Sequence, residues 1–140
     1  MTMPLLARRR SVHAAVGLVE RDGRILICRR RRRDTFGGLW EFPGGKRERR
    51  ETWEQCLRRE LREELGIAVR AIRFYGRMRQ EFPDGVVLFR VFRCRIARGE
   101  PKPLDASALR WVLPGQLKRY RFPPANRALI VGLSRQWQPV

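Results

Sequence analysis

Residues 52–66 constrain the fold more than any other segment. Trp53, Leu57, Leu61 and Leu65 recur every four residues, so they share one face only if the segment is helical. Thr52-x-x-Gln55 has the form of a capping box, in which two side chains satisfy orphan backbone N–H groups at a helix start, and Gly66 can close the far end. The spacing therefore predicts a helix over 52–65.

The flanking segments carry a different pattern. Residues 13–20 and 24–28 read as strands joined by the hairpin signal Asp22-Gly23, and 68–75 reads as another strand. Residues 78–82 and 86–96 flank the turn Pro83-Asp84-Gly85, and 109–112 is a short strand. A last helix is predicted over about 125–137, after Pro123-Pro124. Residues 29–45 hold five successive arginines and then Gly37, Gly38, Pro43, Gly44 and Gly45, and read as a long functional loop. Strands interrupted by two helices predict an α/β fold, with helices layered on a mixed β-sheet. A single domain over 12–140 is expected, preceded by a basic tail over 1–11.

Composition excludes several function classes. At 140 residues and 43% hydrophobic, the chain can build one core without a metal or disulfide lattice. Cys28, Cys56 and Cys94 form no C-x-x-C pair, which argues against a disulfide scaffold or thiolate zinc site and for a cytoplasmic protein. No apolar run approaches the roughly 20 residues of a membrane span, so no membrane partner is expected. Lys and Arg number 32 against 14 Asp and Glu, a net charge of +18, nearly all of it arginine. Guanidinium forks suit phosphate, so a small phosphate-bearing ligand is expected, with nucleic acid a second candidate and a merely solvated charge excess the alternative. A monomer is expected.

On a helix over 52–65, Glu60, Glu63 and Glu64 fall within about 100° of arc. Like charges so placed repel, and the last two also face the negative helix end. Two readings follow from the spacing. Arg58, Arg59 and Arg62 neutralise the face as a solvated network, or the face holds a hard divalent cation that prefers carboxylate oxygens.

The complete segment is Gly45-x5-Glu51-x7-Arg59-Glu60-Leu61-x-Glu63-Glu64-x-Gly66-Ile67, and it resembles the Nudix hydrolase signature at every fixed position. The resemblance implies an α/β/α sandwich and metal-dependent hydrolysis of a nucleoside diphosphate linked to another group. It implies that Glu60, Glu63 and Glu64 bind the metal, Mg²⁺ or alternatively Mn²⁺, with the carbonyl of Gly44 as a further ligand. Arg59 would orient the loop by pairing with Glu51, and Glu60 or Glu64 would lie near the attacking water. No Ser-His-Asp or Cys-His set is evident, and His13 reads as structural.

The likeness extends over most of 13–133 and is similar to the MutT group, which removes 8-oxo-dGTP from the nucleotide pool as a guard against mutation. It is carried by Leu39-Trp40-Glu41-Phe42-Pro43-Gly44-Gly45-Lys46, by Glu81-Phe82-Pro83-Asp84 and by Phe122-Pro123-Pro124-Ala125-Asn126. It implies that Asn126 reads the base edge, since an amide can serve both O6 and the N7–H found only on the 8-oxo base; a helix cap is the alternative role. Phe42 and Phe82 match aromatics near the base, or belong to the core, and Arg30 matches a nucleotide contact. Asp105 stands where the group has a metal-reaching Glu, and Arg50 where Gly is frequent. Two other functions remain in view: a CTP or 5-methyl-dCTP pyrophosphohydrolase on the same fold, and a nucleic-acid-binding module.

Overall fold

The computed structural model describes residues 10–136. In chain order these form β1 (Arg10–Arg21), β2 (Arg24–Arg29), β3 (Trp40–Glu41), β4 (Gly44–Lys46), α1 (Trp53–Leu65), β5 (Ala68–Phe82), β6 (Gly85–Arg98), β7 (Ala108–Val112) and α2 (Arg127–Gln136). Short 3₁₀ turns occupy Pro114–Arg119 and Pro124–Asn126.

The helix α1 forms as its caps dictate. Thr52 accepts the N–H of Gln55 at 3.1 Å, Gln55 accepts the N–H of Thr52 at 2.9 Å, and Gly66 ends the helix in the left-handed region at φ 71°. Its face buries Cys56, Leu57, Leu61 and Leu65 against Ala15, Val19, Leu26, Cys28 and Phe92. Each such leucine removed from water contributes about 2 kcal/mol. On the other side of the sheet, Ile130 and Leu133 of α2 and Leu117 pack on Val16, Leu18, Ile25, Ile27 and Val91. Helices thus cover both faces of a mixed sheet.

β1 lies at the centre. One edge runs parallel to β6, from Arg10 opposite Gly85 to Glu20 opposite Arg95. The other edge changes partner: Glu20 and Arg21 pair with β2, whereas Ala14, Ala15 and Val16 pair with β4. At the change, the Gly17 N–H donates to the Pro43 carbonyl at 2.8 Å. β2 is in turn flanked by β3 and β7. The sheet therefore splits beside β4, and the split opens toward α1.

Several expectations need correction. The expected loop 29–45 contains β3 and β4, so Gly44 and Gly45 lie in a strand. Segments 68–75 and 78–82 are one strand, β5, which passes through Gly76 with irregular register and a positive φ of 53° at Ala71. The last helix begins at Arg127, because Pro123 and Pro124 have no N–H to give and the chain first makes a 3₁₀ turn, closed by the Asn126 N–H on the Pro123 carbonyl; the expected end at Trp137 lies outside the described residues. Of the expected tail 1–11, Arg10 and Ser11 belong to β1, and the rest lies outside the described residues.

Candidate active site

Gly44 and Gly45 on β4 face the carboxylate side of α1 at close quarters. A Cβ on Gly45 would collide with the Glu60 carboxyl group, and one on Gly44 would collide with the Ala15 carbonyl of β1. Only glycine lets strand and helix approach this far. The Gly44 N–H donates to Glu64 at 3.1 Å, which fixes that carboxylate against the strand.

Arg59 is the hub of the arrangement. Its Nε donates to Glu51 Oε2 at 2.6 Å and its Nη2 to Glu51 Oε1 at 2.9 Å, a bidentate pair. The same guanidinium reaches Glu60 at 2.9 Å, Glu63 at 3.3 Å and the Lys46 carbonyl at 3.0 Å. Hydrogen bonding from Arg59 holds the Glu51 carboxyl down at about 2. Loop 47–52 is tied down further, since Arg47 donates to the Glu51 carbonyl at 2.7 Å and the Glu48 N–H to the Glu51 carboxylate at 3.0 Å. Arg50, in the same loop, sits in the left-handed region at φ 67°.

Burial pushes the Glu64 carboxyl up to about 8 despite the Gly44 hydrogen bond, and the charges of Glu41, Glu60 and Asp105 add to the rise. Burial also raises Glu60, against the opposing pull of Arg59. Arg59 offsets the rise at Glu60, whereas only a backbone N–H opposes it at Glu64, and carboxylate oxygens gathered in this way are the donors a hard divalent cation takes. Glu60 and Glu64, with Asp105 near enough to be felt, fit such an ion. Among the described residues no three acidic, histidine or cysteine side chains make a ready-made cage. An ion here would keep ligands from water or substrate phosphate, as Mg²⁺ commonly does. Glu63 is at the rim, its side chain 59% exposed.

Beside this cluster, on the α2 face of the sheet, a cavity of about 100 Å³ is lined by Phe36, Glu41, Phe42, Gln80, Phe82 and Asn126, among others. The rings of Phe36 and Phe82 lie 5.7 Å apart, and those of Phe42 and Phe122 5.1 Å. Asn126 is buried, and its Nδ2 donates to the Pro123 carbonyl at 3.3 Å. The side chain thus turns back on the 3₁₀ turn rather than capping α2. Its Oδ1 accepts no hydrogen bond among the described residues, yet it is not sealed from solvent.

The sequence matches the NUDIX domain family over residues 8–132. The chain belongs to that family. This Nudix hydrolase is 35% identical over 120 residues to the 8-oxo-dGTP diphosphatase of Haemophilus influenzae, covering 85% of this chain and 88% of that protein. It is 32% identical over 119 residues to the CTP pyrophosphohydrolase of Escherichia coli, covering 85% and 88%. The solved MutT NUDIX hydrolase from Burkholderia pseudomallei superposes with a TM-score of 0.76 at 25% identity, covering 92% of this chain and 100% of that one. The α/β/α reading of the fold is borne out. Nudix hydrolases generally depend on a divalent metal. No helix among the described residues is long and apolar enough to cross a membrane.

In this Nudix hydrolase the residues expected at the site gather as two groups, Glu51, Arg59, Glu60, Glu64 and Gly44 at the split sheet, and Phe42, Phe82 and Asn126 around the cavity. Phe42 is also core, 3% exposed. Asp105 is on an exposed loop, and Arg30 is occupied by Glu41 at 2.5 Å and by the Thr35 carbonyl at 2.6 Å. Sequence reasoning missed Glu41, Phe36 and Gln80. Glu41 had a signal, a lone carboxylate between Trp40 and Phe42; burial now raises it, against Arg30. Gln80 accepts the Ala125 N–H at 3.1 Å, which ties the Asn126 turn to β5; nothing local in the sequence announces that contact.

Proposed function

We propose that this Nudix hydrolase converts 8-oxo-dGTP to 8-oxo-dGMP and pyrophosphate, with Mg²⁺ as its metal, in the cytoplasm. The observation that carries the base assignment is Asn126. With one amide hydrogen on Pro123, it keeps an acceptor for the N7–H of the oxidised base and a second hydrogen for O6. Ordinary guanine offers a lone pair at N7, which that acceptor repels, and a site built around a hydrogen bond penalises a ligand that cannot make it. Phe82 and Phe36 wall the base, and Arg30 shifts from Glu41 to a phosphate when the triphosphate is present.

Glu60, Glu63, Glu64 and the Gly44 carbonyl, with Asp105, would hold the metal, which would supply charge neutralisation for the phosphoanhydride. The chain does the rest. Arg59 holds Glu60 in place and, through Glu51, braces the loop; Glu60 or Glu64 takes the proton as water attacks the β-phosphorus. The bond between that phosphorus and the bridging oxygen breaks, and the nucleoside monophosphate leaves. The +18 charge aids capture of a polyanionic substrate. The protein acts as a monomer.

The test is pyrophosphate release with Mg²⁺ from 8-oxo-dGTP, dGTP, CTP and 5-methyl-dCTP at equal low concentration, so that rates compare kcat/KM. A strong preference for 8-oxo-dGTP supports the reading. Preference for a cytosine nucleotide keeps the chemistry and transfers the base assignment to the CTP pyrophosphohydrolase type. Glu60→Gln and Glu64→Gln should each lose orders of magnitude in turnover while folding normally; near-normal turnover in both would sink the metal assignment.

A further inference from the structure

On the α1 face of the sheet, opposite the base cavity, the strands continue past the first turn of α1 and remain open. A groove of about 380 Å³ lies there, lined by His13, Trp53, Arg77, Arg79, Leu88 and Arg90, among others. Arg77 of β5 and Arg90 of β6 are directly opposed across the strand pair. Like charges so placed repel. Among the described residues neither has a carboxylate partner, and Arg79 has only the surface pair with Glu81 at 2.7 Å. The fold thus carries a local electrostatic cost that a bound anion would remove.

Trp53 opens the helical stripe yet is only partly buried. The Arg90 guanidinium stands 4.7 Å and that of Arg47 5.2 Å from its ring centroid, and His13 meets it edge-on at 5.9 Å. An aromatic ring framed by guanidiniums is a surface on which an unpaired base can stack. A second basin, also about 380 Å³, shares His13 and is lined by Lys46, Arg47 and Arg49 with one carboxylate, Glu48, among them. The two basins adjoin at His13 and together present Arg47, Arg49, Arg77 and Arg90. The arginines that would take phosphates belong to a sheet face, beside one broad ring that an unpaired base can reach.

We propose that this track binds single-stranded nucleic acid, with phosphates on Arg77 and Arg90 and a base against Trp53. The track borders the loop that Arg59 braces, through Lys46 and Arg47, and shares Met78 and Phe89 with the base cavity, but Arg77 and Arg90 line neither the cavity nor the carboxylate cluster, and the proposal does not rest on the assigned substrate. The probe is a short fluorescein-labelled oligothymidylate, with anisotropy followed over a salt series. The pair Arg77→Gln and Arg90→Gln should weaken binding about tenfold and lower the slope of log K against log salt by about 1.4, two phosphates at roughly 0.7 each for a single strand. The pair Arg98→Gln and Arg119→Gln removes the same charge from exposed positions elsewhere and should leave that slope unchanged. Trp53→Leu should weaken binding about tenfold, and Trp53→Phe should restore most of it. Nucleotide hydrolysis by the Arg77 and Arg90 variant should stay at the wild-type rate. Equal losses from both arginine pairs, competition by free dTTP at matched phosphate concentration, equal affinity for duplex, or no binding at all would each overturn the proposal.

Discussion

Arg59 and Glu51, eight residues apart, interlock through hydrogen bonds of 2.6 and 2.9 Å, and the same guanidinium holds Glu60 at 2.9 Å. One planar fork therefore sets both the loop before α1 and a carboxylate on it. Lysine cannot reproduce two parallel bonds plus a third. Arg59→Lys should lower turnover roughly 10- to 100-fold with a smaller change in KM, the scale typical of groups that orient metal ligands. Steady-state kinetics at saturating metal checks this.

The Glu64 carboxyl at about 8, above its ordinary 4.5, gives a pH dependence of definite sign. In the metal-free protein the group stays protonated when folded, so its stabilising contribution is full below pH 4.5 and is lost as pH rises toward about 8. A divalent cation must displace that proton, so metal affinity should rise with pH and level off above about 8. Thermal melts from acid to alkaline pH, with and without Mg²⁺, should show the metal-induced gain growing with pH in the wild type. In Glu64→Gln the growth should be much smaller.

The two glycines of β4 should fail in different ways. At Gly44 an added Cβ meets the backbone of Ala15 and Val16, and φ is 153°, so Gly44→Ala should unfold the protein at lower temperature. At Gly45 the added atom meets the Glu60 carboxyl group, which can swing aside. Gly45→Ala should keep most of its stability and lose most of its turnover. Calorimetry and kinetics on the same two samples separate the cases.

Arg50 occupies a left-handed backbone position at φ 67°. A side chain there costs roughly 1–2 kcal/mol, partly offset by the extra unfolded-state freedom of glycine. Arg50→Gly should therefore stabilise the protein by about 0.5–1 kcal/mol. A thermal melt showing no rise, or a fall, would mean that the arginine side chain makes a compensating contact.

Asn126→Ala removes the amide from the base cavity without opening α2, because the side chain bonds the Pro123 carbonyl and not the helix. The selectivity for 8-oxo-dGTP over dGTP should fall roughly 10- to 100-fold, with dGTP turnover little changed. The ratio of kcat/KM values for the two nucleotides is the readout.

The sequence made α1 and its carboxylates legible because both depend on local spacing: the capping box, the four-residue stripe and the glycine stop are all within one segment. β4 was hidden because Gly44 and Gly45 carry the marks of a turn, whereas their absent side chains serve the approach of Ala15 and Glu60 from elsewhere in the chain. The continuity of β5 was hidden for a related reason, since Gly76 and the irregular pairing near Ala71 break the alternation without ending the strand. The Glu41 and Arg30 pair and the Gln80 tether are contacts between segments, and no local pattern encodes them.

The carboxylates proposed to serve hydrolysis ride on α1, whereas the cavity is built from β5, β6 and the turn before α2, and the two meet at Glu41, Gly44 and Gly45. Such a division makes the molecule modular. Phe82, Gln80 and Asn126 line the cavity without touching Arg59, Glu60 or Glu64, so reshaping the pocket at any of the three leaves the carboxylate cluster on α1 as it stands.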